Sequence, residues 1–107
     1  MKVSLEKIKE AGASVAKANG AIYATLFGSY ARGTATDRSD VDIIFVEKTD
    51  QRFLRQLDRY LSPLVDQLGT SVETLVYTPE EFDRMKERAF VKQALKDGMV
   101  LHESGEV

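Results

Sequence analysis

The chain contains no cysteine and a single histidine, His102. Without thiols there is neither a disulfide framework nor a thiolate metal site, and one imidazole cannot build a histidine-rich one, so any bound metal must rest on carboxylates. Positive charge is not in excess either, the formal net charge being -2. That balance offers no overall attraction for a polyanionic backbone, which makes nucleic acid a poor partner and leaves room only for a local basic patch. Long hydrophobic runs are missing as well. No apolar stretch nears the ~18 residues of a membrane span, and the opening MKVSLEKIKEAGASV lacks the apolar core of a signal peptide. These absences predict a cytoplasmic protein. What the chain does have is 43% hydrophobic and 30% charged residues in a length of 107, an ordinary balance for one globular domain spanning residues 1–107.

Leu5, Ile8, Ala11 and Val15 recur at helical steps and predict an amphipathic helix over Ser4 to Lys17, stopped by Asn19-Gly20. Ala21 to Phe27 is short and apolar, as a buried strand is, and runs into Gly28-Ser29. Tyr30 to Arg38 reads as a small, polar loop. Val41 to Val46 is a second strand, rich in β-branched residues and entered by aspartates. The stripe Phe53, Leu54, Leu57, Tyr60, Leu61, Leu64, Val65, Leu68 predicts one long helix, with Asp50 as N-cap, Gly69 as terminator and Pro63 as a kink or restart after Ser62. Ser71 to Tyr77 is a third strand. Thr78-Pro79-Glu80-Glu81 then forms a capping box before two short helices whose buried side takes Phe82, Met85, Phe90, Val91, Ala94 and Leu95. Asp97-Gly98 ends them, and Met99 to Leu101 add a last strand. This order implies an α/β (α+β) mixed sheet of about four strands, with helices mainly on one face and part of the other left for a ligand.

The chemistry concentrates between Gly28 and Asp42. A pleated strand sends Asp40 and Asp42 to one face and Val41 and Ile43 to the other, with the aspartate Cα atoms roughly 6.5 to 7 Å apart at ~3.3 Å per residue. Two carboxylates so placed bracket divalent cations, although the spacing alone equally fits solvated strand-end residues. Gly28 allows a backbone to approach a phosphate, Ser29 offers a hydroxyl, and Gly33 follows shortly after. A tight turn needing glycine for conformation only is the plainer account of the same residues.

Joined, these segments read Gly-Ser, ten residues, Asp-x-Asp. LFGSYARGTATDRSDVDIIFV resembles the signature of the minimal nucleotidyltransferases, a branch of the DNA polymerase beta superfamily that also resembles aminoglycoside nucleotidyltransferases. VETLVYTPEEF and QALKDGMVLHE are similar to the later strand, capped helix and final strand of that family, so the likeness covers most of the chain. The resemblance implies that Gly28 and Ser29 hold the β- and γ-phosphates of ATP, and that Asp40 and Asp42 bind two Mg2+ ions, with Mn2+ as a substitute. It places Glu73 as the third carboxylate, where the family more often shows aspartate. The longer side chain reaches about a bond length farther, which makes the site looser. Arg32 and Arg38 flank the loop and are candidates to screen triphosphate charge. The implied reaction is attack by an acceptor hydroxyl on the α-phosphorus, with pyrophosphate leaving and Glu73 as metal ligand and proton acceptor.

Aminoglycoside-modifying relatives carry a further helical domain, for which this chain has no residues left, so the acceptor is expected on another chain. The resemblance suggests a helical HEPN-type toxin, with this chain as its antitoxin and a toxin tyrosine as the AMP acceptor. A module that neutralises its partner by masking alone is the alternative, and Glu73 is the feature that argues for it. A template-directed polymerase fails on size and charge. His102 reads as a packing or surface residue. Tyr30, Tyr60 and Tyr77 read as core or rim aromatics, with Tyr30 near enough to the motif to serve as a base platform.

Overall fold

The computed structural model describes residues 2–48 and 53–104, the second segment with side chains from residue 58 onward. The elements are α1 (Leu5–Asn19), β1 (Tyr23–Phe27), α2 (Gly28–Arg32), β2 (Val41–Val46), α3 (Phe53–Leu68), β3 (Val72–Tyr77), α4 (Pro79–Met85), α5 (Ala89–Asp97) and β4 (Met99–Glu103). The sheet runs β3-β2-β1-β4. β1 is antiparallel to both β2 and β4, whereas β2 and β3 are parallel and are joined over α3.

Helical and pleated periodicities decide which residues meet. Ile8, Ala11 and Val15 of α1 and Tyr60, Leu64 and Leu68 of α3 face the same side of the sheet as Leu26, Val41, Ile43 and Phe45. Phe45 and Tyr60 pack with ring centroids 4.3 Å apart. The other face holds Phe27 and Ile44 under Ala94 of α5, with Leu75, Tyr77 and Phe82 around them. The two long helices therefore share one face, while the short α4 and α5 cover only part of the second.

Local signals act as the sequence predicts at most boundaries. The Ser4 hydroxyl accepts from the Lys7 amide at 3.2 Å, and Thr78 and Glu81 cap each other reciprocally at 3.2 and 2.8 Å. Asp50, the expected N-cap of α3, lies outside the described residues, as do the side chains of Phe53, Leu54 and Leu57.

Three expectations are corrected. Residues 30–32 are not loop: α2 takes them, and the polar turn starts at Gly33. Phe90 is not on a buried side but 61% exposed, because Val91 and Ala94 supply the packed stripe of α5. Pro63 neither ends nor restarts α3, which runs through it. A proline has no N–H for the carbonyl four residues earlier, here that of Arg59. The Asn19 side-chain amide at the end of α1 donates to that carbonyl at 3.0 Å instead. Arg59 returns the contact, donating Nε to Asn19 Oδ1 at 2.9 Å, and carries its guanidinium on to Glu47 at 3.0 Å. The Tyr60 hydroxyl also donates to Glu47. Glu47, 3% exposed and just past the end of β2, is thus fully partnered.

Among the described residues no helix is long and apolar enough to cross a membrane.

Candidate functional site

The opposite end of β2 is built differently. Val41 and Ile43 enter the α1 and α3 core, so the pleat turns Asp42 to the other face. As β2 is a central strand, Asp42 stands between Phe27 of β1 and Glu73 of β3, its partners in register. The parallel β2–β3 ladder is what sets two carboxylates side by side.

Gly28 closes the site from above β1. Its φ of +73° is one that side chains resist, and a Cβ there would lie 2.3 Å from Asp42 Oδ2. The glycine is thus needed twice, for the turn from strand to α2 and for the space the aspartate fills. No side chain caps the N-terminus of α2, and its far end is tied back by the Thr34 amide donating to Ser29 O at 2.9 Å.

The Asp42 carboxyl is pushed up from 3.8 to about 7. Burial is the largest cause, followed by a side-chain hydrogen bond with Glu73, the Glu73 charge and the Asp40 charge, with Arg32 pulling weakly the other way. A hydrogen bond between two carboxyl groups requires a proton on one of them. With its pKa raised to about 7, Asp42 keeps a proton at pH values below neutrality, and two hard oxygen donors stand side by side there, a donor set suited to a divalent cation in the proton's place.

A cavity of about 680 Å³ opens from this pair. Gly28, Arg32, Asp42 and Glu73 line it, so four of the seven residues singled out by sequence come together there. Asp40 precedes the strand, is exposed and does not line the cavity; the pleat begins only at Val41, and Asp40 reaches Asp42 by charge. Ser29 sits half-buried one residue beyond Gly28, outside the lining. Arg38 is exposed in the turn at residues 36–39, its amide held by Thr36 Oγ1 at 3.2 Å. Among the described residues no three Asp, Glu or His side chains already converge as a metal cage. Asp42 and Glu73 make the paired core of the site, and Asp40 a neighbour.

Tyr30 is removed as a base platform: it is buried in the α1 and α3 core, where its hydroxyl accepts from the Val3 amide at 3.3 Å. Tyr60 is core, and Tyr77 and His102 are half-buried on β3 and β4. Sequence reasoning missed the α5 wall of the cavity, with Phe90, Gln93 and Asp97. Its only signal was the three- and four-residue spacing of these residues, which leads nowhere until the sheet face they lie over is known.

A strand-end glycine turn pressed against paired carboxylates, on a mixed four-stranded sheet, is the architecture of a nucleotidyltransferase. The nucleotidyltransferase domain family matches residues 6–102, and the chain belongs to that family. A Methanocaldococcus jannaschii protein provisionally named a protein adenylyltransferase is 34% identical over 77 residues, covering 72% of this chain and 74% of its own. Among solved structures, a toxin–antitoxin crystallised with AMP-PNP superposes with a TM-score of 0.67 at 20% identity, over 94% of this chain and 76% of that one. A Sulfolobus solfataricus chain provisionally called a nucleotidyltransferase superposes at 0.58 with 26% identity, over 90% and 77%. The chain is thus a nucleotidyltransferase with the fold of these proteins.

Proposed function

We propose that the chain transfers AMP from ATP to a hydroxyl of a partner protein, a tyrosine of a HEPN-type toxin, and so acts as the antitoxin of that pair. The carrying observation is the Asp42–Glu73 pair beneath Gly28, where a carboxylate cluster and a glycine turn touch. Asp40, Asp42 and Glu73 hold Mg2+ or Mn2+ in this reading. When bound, the ions neutralise the triphosphate and lower the pKa of the attacking hydroxyl. Gly28 gives the β- and γ-phosphates close access to the backbone, Ser29 offers its hydroxyl, and Arg32 with Arg38 balances their charge. Glu73, exposed on β3, takes the tyrosine proton as the phenolate oxygen bonds to the α-phosphorus and the bond to pyrophosphate breaks. Tyrosine, with a pKa of ~10, gives up that proton more easily than an alcohol.

Protein as acceptor is supported by the name of the M. jannaschii relative, and a toxin partner by the toxin–antitoxin setting of the fold neighbours. Mass spectrometry after mixing the chain, the candidate partner, ATP and magnesium should show the partner gaining one AMP or more. Chelator should abolish the gain. Glu73→Gln should remove it as well, while Glu73→Asp retains it. Full neutralisation of the partner with no mass change would reject transfer in favour of masking.

A further inference from the structure

One whole wall of the cavity is a face of α5. Phe90, Gln93 and Asp97 succeed one another at three- and four-residue steps, so they stand in a row along that face, over about 10 Å at ~1.5 Å per residue. Phe90 exposes 61% of its surface, the largest value for an exposed bulky apolar side chain among the described residues. Its ring meets that of Phe27 edge to face, centroids 6.0 Å apart at 89°. Phe27 immediately precedes Gly28 and is itself buried, so the exposed ring is steadied by the residue that leads into the glycine turn.

At the other end of the row, Gln93 Nε2 donates to Asp97 Oδ2 at 3.0 Å, and Arg32 Nη1 lies 3.9 Å from the same oxygen. The Asp97 carboxylate accepts and does not donate. The Gln93 amide must therefore turn its NH2 toward Asp97, which spends one of its two N–H groups there and turns Oε1 away from the carboxylate as an unspent acceptor. Turning the amide over would set oxygen against oxygen.

We infer that Phe90 and Gln93 form the nucleobase site, with the Phe90 ring as stacking platform and Gln93 Oε1 as the acceptor that selects a 6-amino purine over a 6-oxo one. This rests on the cavity being the nucleoside triphosphate site, as proposed above. The two roles separate cleanly. Every base has a π face, so stacking on Phe90 holds adenine and guanine alike. Adenine carries an amino donor at position 6, whereas guanine carries an oxygen, which would face Oε1 as acceptor against acceptor and lose its solvation without return. Asp97 sets the choice at one remove, as a positioning residue, because it decides which end of the Gln93 amide is presented.

Calorimetry of ATP and GTP, each with magnesium, on the full chain and on Phe90→Ala, Gln93→Leu and Asp97→Asn tests this. Phe90 and Gln93 are exposed, so their variants should stay folded, which thermal melts check. The parent chain should prefer ATP. Phe90→Ala should weaken both nucleotides roughly tenfold, within the range that base stacking on an aromatic supplies. Gln93→Leu should cost ATP about fivefold, as loss of one neutral hydrogen bond does, and leave GTP no weaker than in the parent. Asp97→Asn should narrow the ATP-to-GTP ratio by freeing the amide to turn, a change of selectivity that a merely structural role would not produce. Equal affinity of the parent for ATP and GTP, or undiminished nucleotide binding in Phe90→Ala, overturns the inference and leaves nucleotidyl transfer standing. Phe90→Ala that binds ATP normally but no longer modifies the partner overturns it too, making Phe90 an acceptor contact. Failure of the parent to bind either triphosphate removes the donor site itself.

Discussion

Strand β2 carries one carboxylate near each end, and the two live under opposite rules. Glu47, just past its C-terminal end, is buried among donors: Arg59 grips it with two nitrogens and Tyr60 adds a hydroxyl. Asp42, at its N-terminal end, has another carboxyl for its partner in register, and the Arg32 charge is the smallest of the influences on it. One end satisfies every polar group with protein atoms. The other sets two carboxyl groups side by side, and the pKa of one is raised by burial and by the other. A strand anchored at one end by a closed network can tolerate an uncompensated acid at the other, and that is the practical meaning of placing both on the central part of the sheet.

The contrast can be broken first at Asp42. Asp42→Asn should lower transfer by about a thousandfold or more, roughly 4 kcal/mol of barrier, because a charge at the reacting phosphate is lost with little change in shape. The same variant should melt no lower than the parent. Because burial and Glu73 raise the Asp42 pKa from 3.8 to about 7, the contribution of this one group to the stability of the ligand-free parent is full below about 4 and is lost as pH rises through about 7. The asparagine variant lacks this decline, so the two melting curves should match near pH 4 and part above neutrality in the variant's favour. A variant that melts well below its parent at pH 8 would mark Asp42 as a structural residue.

At the other end, Glu47→Ala should cost about 3 kcal/mol in urea unfolding, since it strands the Arg59 guanidinium and the buried Tyr60 hydroxyl. A loss below about 1 kcal/mol would show that water replaces the carboxylate without penalty. Gly28→Ala falls between the two ends. It forces a side chain into a positive φ, at about 1 to 2 kcal/mol, and pushes Asp42 aside, so nucleotide binding should suffer more than stability. Equal damage to both would argue that the turn is structural only. Smallest is Asn19→Ala, which frees the Arg59 carbonyl under Pro63 and should destabilise by about 1 kcal/mol in the same unfolding assay without touching nucleotide affinity.

What the sequence made legible follows from which patterns are local. The alternation through Val41, Asp42 and Ile43 is a period of two and announces itself, as do the capping box at Thr78 and the helical stripe of α1. The motif resemblance adds Glu73, whose neighbourhood to Asp42 depends on a parallel register that no local pattern specifies. The Glu47–Arg59–Tyr60 network is invisible beforehand because Glu47 follows one strand while its partners lie on a distant helix, and Glu47 and Arg59 look like ordinary surface residues. Pro63 reads as a helix breaker because nothing near it announces that Asn19, on another helix, supplies the missing donor. Phe90 stands beside Val91, and one-dimensional apolarity cannot tell which of two adjacent residues meets the core and which meets a cavity.

The shallow seating of the C-terminal helices has a kinetic side. α4 buries no residue and α5 buries only Val91 and Ala94, whereas α1 buries five. Segments with so little packing open before the rest of a fold does. The wall that α5 gives the cavity is thus readier to open than the carboxylate floor, which stands on the central strands of the sheet. If the cavity is the triphosphate site proposed above, a bound nucleotide would clasp wall to floor, and its lifetime and the amide exchange of α5 would be two readings of one motion.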